Sequence, residues 1–386
     1  MSADFSASAR ALGIELYRGA MAFLLPVNNA GGVNGRRVVI TAYDDQYEPD
    51  LAIRNTLKLM NEDDVFALFS YVGAPTMNRT LPLLRMHRAE DFLLLFPFTG
   101  AGTNRIPPYD RFSFNLRASY EQETKGLVDH FIAVNRTRIA VFYQADAYGR
   151  AGWAGLREAL AKHGLEIAGE ATYRRGSPFD QSYDRQVAIM QRVQPDAVVC
   201  VGTYPACAAF VRDMRDRDVD CPVATISFVG AGAMLRLLSD AERKLNKDYT
   251  SRLVSSQVVP SYHDDSVPAV RDYREAMDRY RDAIMPPDSL LYPNGKTAER
   301  EYAPLPYGFI SLEGYLNAKL FVAMLQQMGA DPRRADLAQT VLTMGGLRSR
   351  HGTVAVLRRR YGPPAGLGQG LLHSGQRRPL RAVPRR

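Results

Sequence analysis

The stretch "ALGIELYRGAMAFLLPVNNAGGVNGRRVVITAYDD" occupies residues 11–45, and its reading decides the fold. Leu12, Leu16, Ala20, Phe23, Leu24 and Val27 recur at helical spacing, so a helix is predicted over 9–29. "AGGVNGR" stops it with paired glycines and a turn. "RRVVITAYDD" follows as a strand, and Pro49 to Asn61 reads as the next helix. Working outward, the same alternation returns. "VFALFSYV" and "DFLLLFPF" are apolar strands that flank the helical "TMNRTLPLLRMH", with Pro82 expected near its first turns. Mostly apolar strands alternating with helices imply an α/β fold whose parallel sheet is covered on both faces.

A second series begins after "RFSFNLRASY". Helices are expected at 120–134, 151–163, 181–193 and 205–217. Between them lie the strands "RIAVFYQ", "EIAGEATY", "DAVVCVGT" and "PVATISFV", with "ADAYGRAG" as a loop. "VSSQVVP" reads as a connector, and helices follow at 266–284 and 308–329. The chain thus carries two α/β units, and its later segments return to one of them.

The 386 residues are 46% hydrophobic and 23% charged, values that exclude wholesale disorder and leave ample chain for two cores. The net charge of +8 points at first to an anionic partner. Its position removes that reading. Ten of the 49 basic residues lie in 346–386, which has no acid, so the rest of the chain sets 39 basic residues against 41 acidic ones. No nucleic-acid partner is therefore expected. No run of 18 apolar residues exists to cross a membrane. Cys200, Cys207 and Cys221 do not form a disulfide framework, and are expected as small buried residues.

Several chemistries lack their motifs. There is no P-loop, no HExxH, no CxxC and no Gly-x-Ser-x-Gly elbow. The six histidines are scattered without metal-ligand spacing. "GAGT" (100–103) and "GAGA" (230–233) lack the third glycine and the acid of a dinucleotide site. No catalytic residue, metal or cofactor is assigned. Asp44 and Asp45 are adjacent, so as strand residues they would face opposite ways, and a capping or loop role is expected.

Small polar residues and glycines do cluster just after the strand ends: "SADFS" (2–6), "GAPT" (73–76), "FTGAG" (98–102), "ADAYG" (145–149), "GTYP" (202–205) and "FVGAG" (228–232). Ligands of open α/β sheets bind outside those carboxyl ends, where helix N-termini offer N–H groups to an anion. The same residue types also serve as ordinary caps and tight turns. Two such sets, one per unit, make a shared cleft the stronger reading, with Thr76 and Thr99 as hydroxyl donors and Tyr148 and Tyr204 as a second wall.

At these residues the chain resembles the substrate-binding protein of branched-chain amino-acid-type ABC transporters, the Leu/Ile/Val-binding type. The matching strings are "ADFS…ALGIELYRGAMAFLLPVNNAGGVNGRRVVITAYDD", "YQADAYGRAGWAGLREALAKHGLEIAGEATY" and "PDAVVCVGTYPACAAFVRDMR". The resemblance covers roughly residues 1–345. It implies a two-lobe Venus-flytrap fold of the periplasmic binding protein type I, with no enzymatic activity. Lobe 1 would comprise 1–117 and 257–345, and lobe 2 residues 118–256. The implied partners are a small amino-acid-like, carboxylate or amide ligand and a membrane ABC permease, in the periplasm or outside the cell. Carried over by motif, lobe 1 contributes Ala74, Thr76, Thr99 and Gly100. Lobe 2 contributes Tyr148, Thr203, Tyr204, Phe228 and Ala231. The family often holds the ligand's ammonium group with an acid where "VGAG" (229–232) stands, and this chain has none there. A carboxylate without an amine, an aromatic acid or an amide fits as well as an amino acid.

Rivals to the importer reading are a cytoplasmic ligand sensor on the same fold and an α/β enzyme using Tyr148 with Asp146. Two further expectations concern the ends. The family's secretion signal and first strand are expected to precede Met1. Residues 346–386 are expected to be a frameshifted ending, in place of the last crossing and the C-terminal strands.

Overall fold

A computed structural model describes residues 1–297 and 301–344, and the backbone of residues 347–349, 352–355 and 373–374. The frameshift expectation for 346–386 falls almost wholly outside the described residues.

The first strand is present, which corrects one expectation: β1 (Ser2–Ala3) pairs in parallel with β2 (Tyr43–Asp44). Between them runs α1 (Arg10–Asn29), which buries Leu12, Leu16, Ala20 and Leu24 as its spacing requires. Gly31 and Gly32 end it with φ of 100° and 77°, values that L side chains rarely adopt. α2 (Pro49–Asn61) keeps the expected bounds, with Pro49 in its first turn.

The next strands are shorter than their apolar runs. β3 (Leu68–Phe69), β4 (Leu94–Leu95) and β5 (Ser113–Phe114) form a parallel three-stranded sheet in that order. α3 (Ala74–Met86) lies between β3 and β4, and Pro82 sits late in it rather than near its first turns. α4 (Tyr120–Ala133) opens with a capping box in which Ser119 and Gln122 bond reciprocally.

The second unit holds the larger sheet. Its elements are β6 (Ile139–Gln144), α5 (Ala147–Ala161), β7 (Glu170–Tyr173), α6 (Asp184–Val193), β8 (Ala197–Val201), α7 (Tyr204–Asp216) and β9 (Val223–Thr225). Two departures from the expected pattern appear here. The loop "ADAYGRAG" is mostly the first turns of α5, because the Asp146 carboxylate accepts from the backbone N–H of Tyr148 and Gly149 and so caps the helix. A helix with no counterpart in the sequence reading, α8 (Ala231–Leu245), follows β9. β10 (Leu253–Ser255) then enters what reads as a connector and pairs with β9.

The strand order is β7-β6-β8-β9-β10, all parallel, with His373–Ser374 antiparallel on the β10 edge. Every residue of β8 is buried, as for a strand covered on both faces. Phe142 stacks on Phe210 with centroids 4.0 Å apart beneath this sheet. The chain then returns through α9 (Pro268–Arg279), α10 (Asp288–Leu291), α11 (Phe309–Met328) and α12 (Arg334–Met344). α11 lies against α1, where Gly19 and Gly314 each sit where a Cβ would strike the other helix's backbone. Cys200 and Cys207 are buried as expected, and Cys221 is half-buried.

Candidate functional site

Loops at the carboxyl ends of both sheets face one another. On the first-sheet side, Gly73 takes φ of 99° to start α3, and a Cβ there would lie 2.2 Å from the Tyr47 ring. Ala74 and Thr76 are buried in the first turn of α3. The Thr76 hydroxyl donates to the carbonyls of Val72 (2.5 Å) and Gly73 (3.0 Å), so its proton is already used. Thr99 Oγ1 accepts from the Ala101 N–H and lies 3.2 Å from the Tyr120 hydroxyl. Gly100 lets Tyr120 approach, since a Cβ would come within 2.4 Å of that ring.

On the second-sheet side, the Tyr148 hydroxyl donates to the Gly202 carbonyl at 3.1 Å. The Thr203 N–H donates to the Tyr173 hydroxyl, which donates to Gln144 Oε1. Burial pushes the Tyr204 hydroxyl up to about 12, opposed by a hydrogen bond to the Ala11 backbone, so this side chain reaches α1. Ala231 is half-buried at the start of α8 and lines a cavity of about 20 Å³ with Leu305 and Ile310.

Phe228 stands at the centre. It is fully buried, with its ring 4.5 Å from Tyr148, 5.3 Å from Phe98, 6.3 Å from Tyr47 and 6.4 Å from Tyr120. The structure therefore gathers Tyr148, Phe228, Thr99 and Gly100 around shared aromatic partners. Thr76 and Thr203 sit at the two helix starts behind them. The sequence reading did not single out Tyr47, Phe98 or Tyr120. The signal was available for Phe98 alone, which ends an apolar strand inside a strand-end loop.

A polar cluster closes the side of the site nearest residues 117 and 256. Buried Arg117 lies over the Phe98 ring at 4.2 Å, donates to Ser227 Oγ and sits 3.7 Å from Glu313. Glu123 accepts from the Ser227 N–H and from Ser256 Oγ, both at 2.7 Å. Burial pushes the Glu313 carboxyl up to about 7, against the pull of Arg117, with Glu123 adding to the rise. The direction fixes a pH dependence. An acid whose folded value exceeds its unfolded one carries no penalty below about 4.5 and the full penalty above about 7. Its effect is thus to lower stability as pH rises through that window. Glu313→Gln should match the parent at pH 5 and exceed its stability by on the order of 3 kcal/mol at pH 8. Urea unfolding at both pH values measures this, and equal gaps between the two proteins would rule it out.

The acids at the loops have local tasks. Asp44 accepts from the Phe5 N–H and Ser6 Oγ, and Asp45 from Ser2 Oγ and the Tyr47 N–H, so both cap the loops beside them, with Asp45 fully buried rather than solvated. Burial raises the Asp45 carboxyl well above the usual range. Asp146 caps α5 and meets Arg175 at 3.4 Å, and Arg175 reaches across to Glu48 at 2.8 Å. The Arg175–Glu48 pair is partly exposed, so its worth is about 0–1 kcal/mol. Arg175→Ala should loosen the contact between the two sides by at most about fivefold, and 0.5 M salt should erase the difference. Interdomain fluorescence transfer reads both effects, and a larger, salt-resistant change would contradict the assignment.

Among the described residues no group of three or more His, Cys, Asp or Glu is placed to hold a metal. No helix there is long and apolar enough to cross a membrane.

Residues 1–364 match the family model described as periplasmic binding protein. The chain is 24% identical over 208 residues to an amino acid binding protein of Pseudomonas aeruginosa, covering 53% of each chain. The match thus spans about half the length of that curated relative. A possible leucine/isoleucine/valine-binding protein from Rhodopirellula baltica superposes with a TM-score of 0.76 at 28% identity, over 92% of this chain and 87% of that one. An ABC transporter solute-binding protein from R. palustris, solved with benzoate, superposes with a TM-score of 0.71 at 14% identity, over 91% and 86%. At that identity the last likeness shows the fold alone. These neighbours are two-lobe binding proteins rather than enzymes. With parallel sheets facing each other through their strand-end loops, and a family match over most of its length, the chain belongs to the periplasmic binding protein family.

Proposed function

We propose that this protein is the solute-binding component of an ABC importer, capturing a small carboxylate or amide between two closing lobes in the periplasm and presenting it to a membrane permease. Lobe 1 comprises residues 1–117 and 257–345, and lobe 2 residues 118–256. The observation that carries the reading is the convergence of rings from both sets of loops on Phe228. Ala74, Thr76, Thr99 and Gly100 form one wall, and Tyr148, Thr203, Tyr204, Phe228 and Ala231 the other.

The wall chemistry favours an acid over an amine. Helices α3 and α7 start at these strand ends with no side-chain cap, so their first N–H groups can attract a carboxylate, whereas α5 is already capped by Asp146. No acid stands in the loop 226–233. Nearby Asp146 is occupied by the helix cap, and Glu123 accepts from Ser227 and Ser256 through Oε2, with its buried Oε1 left without a partner.

Mass spectrometry of small molecules released from denatured protein identifies the occupant. Calorimetry then compares that compound with leucine, phenylalanine and benzoate, on the parent and on Tyr148→Ala. The expected result is one carboxylate per chain, with binding weakened in the variant. Binding that survives Tyr148→Ala unchanged would overturn the site. Absence of any bound or binding solute would overturn the function.

A further inference from the structure

We propose that the polar cluster near residues 117 and 256 holds a subsite for a secondary amide group of the solute, with the amide carbonyl on Arg117 and the amide N–H on Glu123. The proposal rests on the solute-binding reading above and names the group that this end of the cleft selects.

Ser227 joins the two residues. Its Oγ accepts from Arg117 Nη2, and its N–H donates to Glu123 Oε2 at 2.7 Å. The same Oε2 accepts from Ser256 Oγ at 2.7 Å. Each side chain thus spends one end and keeps the other. Arg117 Nη1 and Glu123 Oε1 are buried without a hydrogen-bond partner, and Arg117 Nε meets only Glu313, at 3.7 Å. Arg117 is 4% exposed and Glu123 5%. A buried polar group left unpaired costs about 1–3 kcal/mol, and more when charged. One open donor and one open acceptor, tied to the same serine, point to a single group that answers both.

The open atoms border the solute site. Ser227 directly precedes Phe228, and Arg117 lies over the Phe98 ring at 4.2 Å. Glu123 stands one turn along α4 from Tyr120, whose ring is 6.4 Å from Phe228. A cavity of about 20 Å³ opens beside Ser227 and Gln257.

Charge and donor count choose the group. One buried cation, Arg117, faces two buried acids, Glu123 and Glu313. Half-buried Arg105 and Glu121 behind them add one charge of each sign. A carboxylate here would bring a third acid into the cluster, and an ammonium group would offer Arg117 no acceptor. A secondary amide is neutral and carries one acceptor oxygen and one N–H, the complement of what is open. A carboxylate elsewhere on the same solute is left to the starts of α3 and α7.

The test uses the full chain and two probes that differ in one group: hippurate, a benzoyl amide, and O-benzoylglycolate, the ester with oxygen in place of the N–H. Calorimetry on the parent should show hippurate bound about tenfold more tightly or better, since the ester oxygen sets a lone pair against Glu123 Oε1. Glu123→Gln keeps an acceptor for Ser227 and Ser256 and turns the open atom into an N–H donor, so it should close or reverse that gap. Arg117→Lys keeps the charge and loses Nη1, and should weaken both probes together. Equal affinity of the parent for the two probes would leave the open atoms to a buried water and overturn the proposal. So would a gap that persists in a folded Glu123→Gln protein, or binding of neither probe. The parent comparison needs no variant and decides alone if Glu123→Gln fails to fold. Solute capture itself is judged by the released compound, a measurement that uses neither probe.

Discussion

Phe228→Ala should shift the protein from a closed toward an open form. The ring lies within 6.4 Å of Tyr47, Phe98, Tyr120 and Tyr148, so its loss empties the centre of the cleft. Truncating a buried phenylalanine costs about 3–5 kcal/mol in total. That cost divides by geometry. The contact with Tyr148 lies within the second unit, so its loss lowers the stability of that unit. The contacts with Tyr47 and Phe98 join the two units, and each aromatic pair contributes about 0.5–1.5 kcal/mol. Losing both amounts to about 1–3 kcal/mol of closure, a fall of roughly 5- to 150-fold in the closed-to-open ratio. Small-angle scattering should show a larger radius of gyration, and solute affinity should fall in the same proportion. A lower melting temperature with unchanged scattering would make Phe228 a core residue of the second unit only.

That cluster also shows where sequence reading ended. Phe228 and Tyr148 were legible because each follows a strand end within a glycine-rich loop. Tyr47 was not, because it lies in a turn after β2 with φ of 61°, a conformation that nothing in "DDQYEP" announces for a tyrosine. Tyr120 begins a helix, and only tertiary packing brings it onto Gly100 and Phe228. The roles of hydroxyls were legible only in part. Thr76 stands where it was expected, but its proton goes to the carbonyl four residues back, a bond that competes with any ligand.

Secondary structure divides along the same line. α1 and α2 were legible because their apolar spacing is regular and their ends carry glycines or a proline. α8 carries an equally usable signal, Met234, Leu238 and Ala241 buried along one face, but its start at Gly230 and Gly232 reads as loop. Apolar runs such as "DFLLLFPF" overstate strand length, because burial extends past the few residues that pair. β1 depends on a partner forty residues away, which local pattern does not reveal.

Gly19→Ala should destabilise the fold by about 2 kcal/mol or more, although it places a better helix former in the middle of α1. Propensity alone favours alanine over glycine there by about 1 kcal/mol. Packing opposes it. A Cβ on Gly19 would lie 1.8 Å from the Ser311 carbonyl oxygen, and one on Gly314 would lie 2.1 Å from the Leu16 carbonyl oxygen. Both obstacles are backbone, so no side chain can swing away, and α1 and α11 must separate. Overpacking of this kind costs about 1–3 kcal/mol, and more where a whole helix shifts. Gly126 supplies the opposite case on α4: a Cβ there meets nothing within 4 Å, so Gly126→Ala should stabilise by about 0.5–1 kcal/mol. Denaturant unfolding of the two variants should therefore move the midpoint in opposite directions. A Gly19→Ala protein as stable as the parent would mean that the two helices do not pack backbone to backbone, and with that the seat of α11 against α1 would be wrong.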